Sequence, residues 1–234
     1  NRVRDMSAPE KVFGYFASLT GPDGEKYMTV EDFIRSLMPY DTEHGNGGAW
    51  TRTEGGKKDS PAMKKARKLF SFVDENGDAH ISFEEYMFFV TLLSIPPEDF
   101  DVAFRMFDRD GNGAVSASEF QQVVKVMMAN TPMGRQHRSP SVSQYPRNLS
   151  VFFGQNEERQ LSFPEFEKFL RFLRETVLEL EFEQYDRRNE GALSLKNFAL
   201  MLVATADQKH LADYARRAHG LAHRPEKVSL SEVK

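Results

Sequence analysis

The sequence predicts a mostly α-helical protein built of repeated helix–loop–helix units, with short β contacts pairing their loops. Three observations predict it: a short motif that recurs along the chain, an acidic loop with metal-ligand spacing, and Phe residues that bracket both. The motif is an aliphatic residue, Ser or Thr, two variable residues, usually an acid and then usually an aromatic. It occurs as Met28-Thr29-Val30-Glu31-Asp32-Phe33, Ile81-Ser82-Phe83-Glu84-Glu85-Tyr86 and Val115-Ser116-Ala117-Ser118-Glu119-Phe120. It returns as Leu161-Ser162-Phe163-Pro164-Glu165-Phe166, Leu193-Ser194-Leu195-Lys196-Asn197-Phe198 and Val228-Ser229-Leu230-Ser231-Glu232-Val233. The aliphatic positions 28, 81, 115, 161, 193 and 228 advance in steps of 53, 34, 46, 32 and 35 residues. A period in the low thirties is the length of one supersecondary unit.

Composition excludes several classes. The chain has 234 residues, 40% of them hydrophobic, which supports a substantial core in one or two domains. Its 31 Lys and Arg against 35 Asp and Glu leave a formal charge of -4, without the net basic footprint of a nucleic-acid binder. It has no Cys, which removes disulfides, thiolate chemistry and Cys-ligated zinc. The longest predominantly apolar stretch, Tyr86 to Ile95, is too short to span a bilayer. No phosphate-binding Gly loop or nucleophile elbow occurs, so an enzyme is not expected. The 20 Phe against a single Trp are the anomaly that the repeats explain.

The acidic loop is Asp108-Arg-Asp110-Gly-Asn112-Gly113-Ala114-Val115-Ser116-Ala-Ser-Glu119, a full match to the EF-hand calcium loop. Asp108, Asp110 and Asn112 offer oxygens at loop positions 1, 3 and 5, the Ala114 carbonyl at 7 and Ser116, through water, at 9. Glu119 closes the shell with both carboxylate oxygens at 12. Gly113 allows the left-handed turn at position 6, and Val115 at position 8 is the β contact between loops.

Taken in chain order, residues 1–40 carry a pseudo-hand whose loop starts at Gly21 and therefore lacks the opening carboxylate. Residues 41–60 read as a Gly-rich linker. Residues 61–129 are expected to form an EF-hand pair with calcium loops 74–85 and 108–119. In the first of these loops Asp74, Asn76, Asp78, the His80 carbonyl, Ser82 and Glu85 fill every ligand position, but Ala79 stands where Gly is wanted. A Cβ in left-handed backbone costs about 1–2 kcal/mol, so this hand is expected to bind, more weakly. Magnesium is the competing ion. Pro96 and Pro97 separate the two hands, whose loops are expected to join at Ile81 and Val115.

Residues 130–148 are a Pro-, Ser- and Arg-rich linker, and residues 149–234 hold a further pseudo-hand pair with the start of a truncated hand. The fourth loop opens on Gly154. The fifth opens on Asp186 but has Arg188 at position 3 and Asn197 at position 12. The sixth would place Leu221, His223 and Pro225 at positions 1, 3 and 5. Because hand six ends where its exiting helix should begin, the natural chain is expected to continue. His219 and His223 have metal-ligand spacing but lack a Glu partner motif and are expected to be surface residues.

A more specific resemblance lies outside the loops. It is carried by Asn1-Arg2-Val3-Arg4-Asp5, Glu10-Lys11-Val12-Phe13-Gly14-Tyr15-Phe16-Ala17-Ser18, and Leu92-Leu93-Ser94-Ile95-Pro96. It extends through Phe100-Asp101-Val102-Ala103-Phe104-Arg105-Met106-Phe107-Asp108, Thr131-Pro132-Met133-Gly134-Arg135-Gln136-His137-Arg138 and Phe152-Phe153-Gly154. In this order the chain resembles the mitochondrial calcium uptake proteins, the EF-hand gatekeepers of the mitochondrial calcium uniporter, along essentially its whole length.

The resemblance implies a calcium sensor in the intermembrane space, peripheral to the inner membrane. It implies a homodimer or a heterodimer with a related EF-hand protein, blocking the uniporter pore subunit at resting calcium and releasing it when calcium rises. It also implies that Arg2 and Arg4 meet the acidic ring at the pore mouth, where guanidinium forks suit carboxylates. The complete ligand set of the second hand departs from the family, in which that hand is often degenerate, and points to a plant-like or protist-like member. Two other readings stay open: a passive calcium buffer, and a regulatory EF-hand module of a carrier or an enzyme.

Overall fold

The computed structural model describes residues 8–22, 24–37, 61–74, 78–129, 150–154, 156–186, 188–203 and 211–233. Arg2, Arg4, Asn76 and both linkers lie outside these residues. The chain divides into two compact units, one of residues 9–33 and 68–174, the other of residues 1–8, 34–67 and 175–234.

The elements follow the repeats. They are α1 (Pro9–Phe16), β1 (Leu19–Thr20), β2 (Lys26–Tyr27), α2 (Val30–Leu37), α3 (Pro61–Val73), α4 (Phe83–Ser94) and α5 (Phe100–Phe107). Then come β3 (Ala114–Val115), α6 (Ala117–Ala129), α7 (Ser150–Phe153), β4 (Leu161–Ser162) and α8 (Phe163–Tyr185). The last are β5 (Ala192–Ser194), α9 (Leu195–Val203), α10 (Leu211–Gly220), β6 (Lys227–Ser229) and α11 (Leu230–Val233).

The Ser or Thr of the motif stands just before the exiting helix, because a hydroxyl at an N-cap satisfies an otherwise orphaned helix N–H. Ser82 shows the full reciprocal box before α4: the Glu85 N–H donates to Ser82 Oγ at 3.3 Å, and the Ser82 N–H donates to the Glu85 carboxylate at 2.8 Å. Ser116 and Glu119 repeat it at the same place in the third hand. The acid at position 12 is thus a helix cap as well as a ligand candidate.

Loop pairing differs from the expectation. Ile81 does not join Val115. It bridges Met28, with reciprocal backbone hydrogen bonds of 2.9 Å. Val115 pairs instead with Leu161 in an antiparallel β3–β4 ladder, and Leu193 pairs with Val228 in β5–β6. The hands therefore pair one with two, three with four and five with six. Joining two to three and four to five would strand the position-8 contacts of hands one and six, and an unpaired strand leaves backbone donors and acceptors open. The long linker after hand one does not prevent its pairing, since loop-closure cost rises only logarithmically with length.

In the larger unit the Phe residues before each loop and after each position 12 form the core. Phe13 meets Phe83 and Tyr86 at ring distances of 5.4 and 5.5 Å, and Phe33 meets Phe89 at 5.0 Å. Phe107 stacks on Phe120 at 4.9 Å, while Phe104 meets Phe163 and Phe166 at 5.4 and 5.8 Å. The Arg174 guanidinium closes the end of α4 by donating to the carbonyls of Leu93 and Ile95, and lies over the Phe100 ring that opens α5. In the other unit Phe182, Leu193 and Met201 form the buried centre, covered by Leu178, Tyr185, Phe198, Leu230 and Val233. Hand six is thus not left open: β6 and α11 pack on hand five.

Candidate metal centre

Three carboxylates converge in the third loop. Ligand oxygens of Asp108, Asp110 and Glu119 all lie within 4.8 Å of one another. The backbone makes this possible by turning left-handed twice, at Gly111 (φ 72°) and Gly113 (φ 84°), which wraps the loop around its own first residue. The Gly113 N–H donates to Asp108 Oδ2 at 2.9 Å, and the Asn112 N–H donates to Asp108 Oδ1 and Asp110 Oδ1 at 3.0 Å each. The Asn112 side-chain oxygen accepts from the Ala114 N–H at 2.8 Å, so it too is turned into the loop. Ala114 and Val115 form β3, paired with Ser162 and Leu161, and Ser116 follows it.

Glu119 ties the two ends of this loop together. One carboxylate oxygen accepts from the Ser116 N–H (2.9 Å) and hydroxyl (2.7 Å), and the other from the N–H groups of Arg109 (3.0 Å) and Asp110 (3.2 Å). Burial alone would raise its pKa. The hydrogen bonds from Ser116, Asp110 and Arg109 outweigh that and hold the carboxyl below its ordinary value. An all-oxygen set of three carboxylates, an amide, a hydroxyl and a carbonyl suits a hard divalent cation such as calcium. Arg109 has no place in the ligand pattern and is a residue that motif reading misses.

The second loop is built the same way but is less complete. Ala79 is left-handed, at φ 65°, and its N–H donates to Asp74 Oδ2 at 3.0 Å, as Gly113 does to Asp108. The His80 N–H donates to Asp78 Oδ1 at 2.8 Å. Glu85 is buried and capped on Ser82. Among the described residues Asp74, Asp78 and Glu85 do not come together as the third-loop carboxylates do.

The remaining hands satisfy their position-12 group from within the protein. Asp32 accepts from the Ser18 hydroxyl at 2.5 Å and the Thr29 N–H at 3.1 Å. Glu165 accepts from the Ser162 N–H and hydroxyl and pairs with the Arg159 guanidinium, and these contacts lower its pKa to about 2. The Asn197 amide donates to the Tyr185 carbonyl at 3.1 Å. In loop five, Asp186 is buried and accepts from the N–H groups of Glu190 and Gly191, which preserves the turn, but Arg188 and Lys227 lie on Glu190. His219 and His223 are exposed on and just after α10.

The family described as EF-hand domain pair matches residues 63–125. The calcium uptake protein, mitochondrial, of Arabidopsis thaliana is 38% identical over 100% of this chain and 49% of its own length. The human calcium uptake protein 1, mitochondrial, is 34% identical over 94% of this chain and 51% of its own. The chain belongs to the calcium uptake protein family. It spans about half the length of the curated relatives that it matches. The apo structure of the mitochondrial calcium uniporter protein MICU2 covers 95% of the chain and 64% of its own, with TM-score 0.55 and 26% identity. The calcium-binding state of EFHA2 covers 96% of the chain and 74% of its own with TM-score 0.59, a likeness of fold at 24% identity.

Proposed function

We propose that this chain is the calcium-sensing part of a regulator of the mitochondrial calcium uniporter, acting in the intermembrane space at the inner membrane surface. The observation that carries the sensing half is the convergence of Asp108, Asp110 and Glu119 on a loop whose two left-handed glycines are already in place. Its regulatory half rests on the names of the relatives, and that half includes dimerisation with itself or with a related EF-hand protein. Arg2 and Arg4 are the proposed contacts to acidic groups of the pore subunit.

The proposed conformational step uses Glu119. Its carboxylate links the first residues of the loop to the start of α6. Asp108, Asp110, Asn112, Ala114, Ser116 and Glu119 would hold the ion, and the second loop would hold another through Asp74, Asn76, Asp78, His80, Ser82 and Glu85. An ion shifts the protein only by binding one arrangement more tightly than the other. Glu119 can provide this difference, because the N–H bonds to Arg109 and Asp110 must be exchanged for ligation. Around it, Phe107 and Phe120 would repack as α6 turns.

Isothermal calorimetry of wild type and Glu119→Lys tests the sensing half. Wild type is expected to take up calcium at loop three, and the variant to keep its helical circular dichroism while losing that binding. Equal titrations would refute the assignment. Co-precipitation of the pore subunit, lost when Arg2 and Arg4 become Glu, tests the partner half separately.

A further inference from the structure

Hand four carries a cation of its own. Its loop runs from Gly154 to Glu165, and Arg159 occupies position 6, where a calcium loop turns left-handed on glycine. Among the described residues of this loop, Gly154 (φ 75°) and Glu157 (φ 55°) are left-handed and Arg159 is not. With ordinary backbone at position 6, the loop can carry a long side chain there. The Arg159 N–H donates to the Phe153 carbonyl at 3.0 Å, which fixes its main chain to the end of α7. Its guanidinium then reaches Glu165, the position-12 acid, and pairs with one carboxylate oxygen. The other oxygen takes the Ser162 N–H and hydroxyl at 3.0 and 2.7 Å.

Loop three makes the meaning of this arrangement clear. There the position-12 acid also gives one oxygen to its capping Ser, at the same two distances within 0.1 Å, while the other accepts from the N–H groups of Arg109 and Asp110, and the acid converges with the carboxylates of Asp108 and Asp110. In loop four the second oxygen meets a guanidinium that the loop itself supplies. The two loops are then joined directly, Ala114 to Ser162 and Val115 to Leu161.

We propose that Arg159 is a tethered cation that stands in for a metal in hand four. It holds β4 and the start of α8 in place at every calcium level and thereby positions the candidate calcium loop paired to it. Arg159 is a positioning residue: it reaches loop three only through β4 and β3. The second part of this inference rests on loop three binding calcium, and the first part does not.

Two variants of the whole chain, Arg159→Ala and Arg159→Lys, test it with two readouts. The first is amide hydrogen exchange of Ala114, Val115, Leu161 and Ser162 without calcium. Arg159→Ala is expected to exchange about three- to fivefold faster there, the factor an exposed ion pair can supply, with Arg159→Lys close to wild type. The second is calorimetric calcium affinity at loop three, expected to weaken by a similar factor of about three to five in Arg159→Ala and to be restored in Arg159→Lys. Unchanged exchange and affinity in Arg159→Ala would overturn the proposal, and so would equal losses in the two variants, because they would show a packing role rather than a charge. If wild type itself binds no calcium at loop three while the exchange pattern follows the charge, the sensing function falls and the tethered cation stands.

Discussion

Ala79 shows how a side chain that offers no ligand can bear on the backbone of a candidate calcium loop. It occupies the left-handed turn that Gly113 occupies in the third loop, and it keeps the same hydrogen bond to the opening Asp. The backbone demand is therefore identical in the two loops, and only one meets it with glycine. Relief of about 1–2 kcal/mol of left-handed strain is partly offset by the extra unfolded-state freedom of Gly, about 0.5–1 kcal/mol. Ala79→Gly is expected to stabilise the protein by about 0.5–1 kcal/mol in urea denaturation and to tighten the second loop for calcium. A lower urea midpoint would count against this account. Ala79 was legible in the sequence as a departure from the pattern. The internal partners of the position-12 groups were harder to read, because Ser18 lies 14 residues before Asp32 and only the folded loop brings them together.

At the scale of the element, the loops divide into those that kept ligands and those that kept only shape. Loop five belongs to the second group: Asn189 and Gly191 are left-handed at φ 57° and 71°, and Gly191 donates to Asp186 at 2.8 Å, as Gly113 does to Asp108 at 2.9 Å. What it lacks is chemistry at positions 3 and 12. The double substitution Arg188→Asp with Asn197→Glu restores the full set of acidic positions on an existing turn. It is expected to raise the calorimetric calcium stoichiometry by about one ion per chain; an unchanged stoichiometry would mean that the turn alone does not preserve a site. The recurring motif marked the six loops in the sequence, since the spacing of Ser or Thr and acid is a local signal, but it placed the exiting helix of hand six too late. It did not reveal which loops join. Adjacent hands two and three look like a pair by spacing, and the bridge from Met28 to Ile81 depends on where the chain returns after its linker.

Across the whole molecule, strict pairing in chain order has a consequence for binding. Each candidate calcium loop is joined to a loop that lacks the ligand pattern: the second to the first through Met28 and Ile81, the third to the fourth through Val115 and Leu161. No β ladder connects the two ligand-bearing loops among the described residues, so the usual route of coupling between two ions in one EF-hand pair is missing. Calcium titration of wild type is expected to fit two independent sites with a Hill coefficient no greater than about 1, and Glu119→Lys is expected to leave the affinity of the second loop within about twofold. A steep, sigmoidal isotherm would contradict this. The Phe excess is also a whole-molecule property, since rings such as Phe104 and Phe166 join the entering helix of one hand to the exiting helix of its partner.

The bridge between Met28 and Ile81 finally bears on how such a protein would read a rising signal. Two ions caught in one pair make a switch with a single sharp threshold. Two ions caught in separate pairs, each braced by a silent neighbour, make two gauges of different range. On the proposed reading, Ala79 would set the range of the second loop above that of the third, and the chain would report a wide span of calcium concentrations in steps.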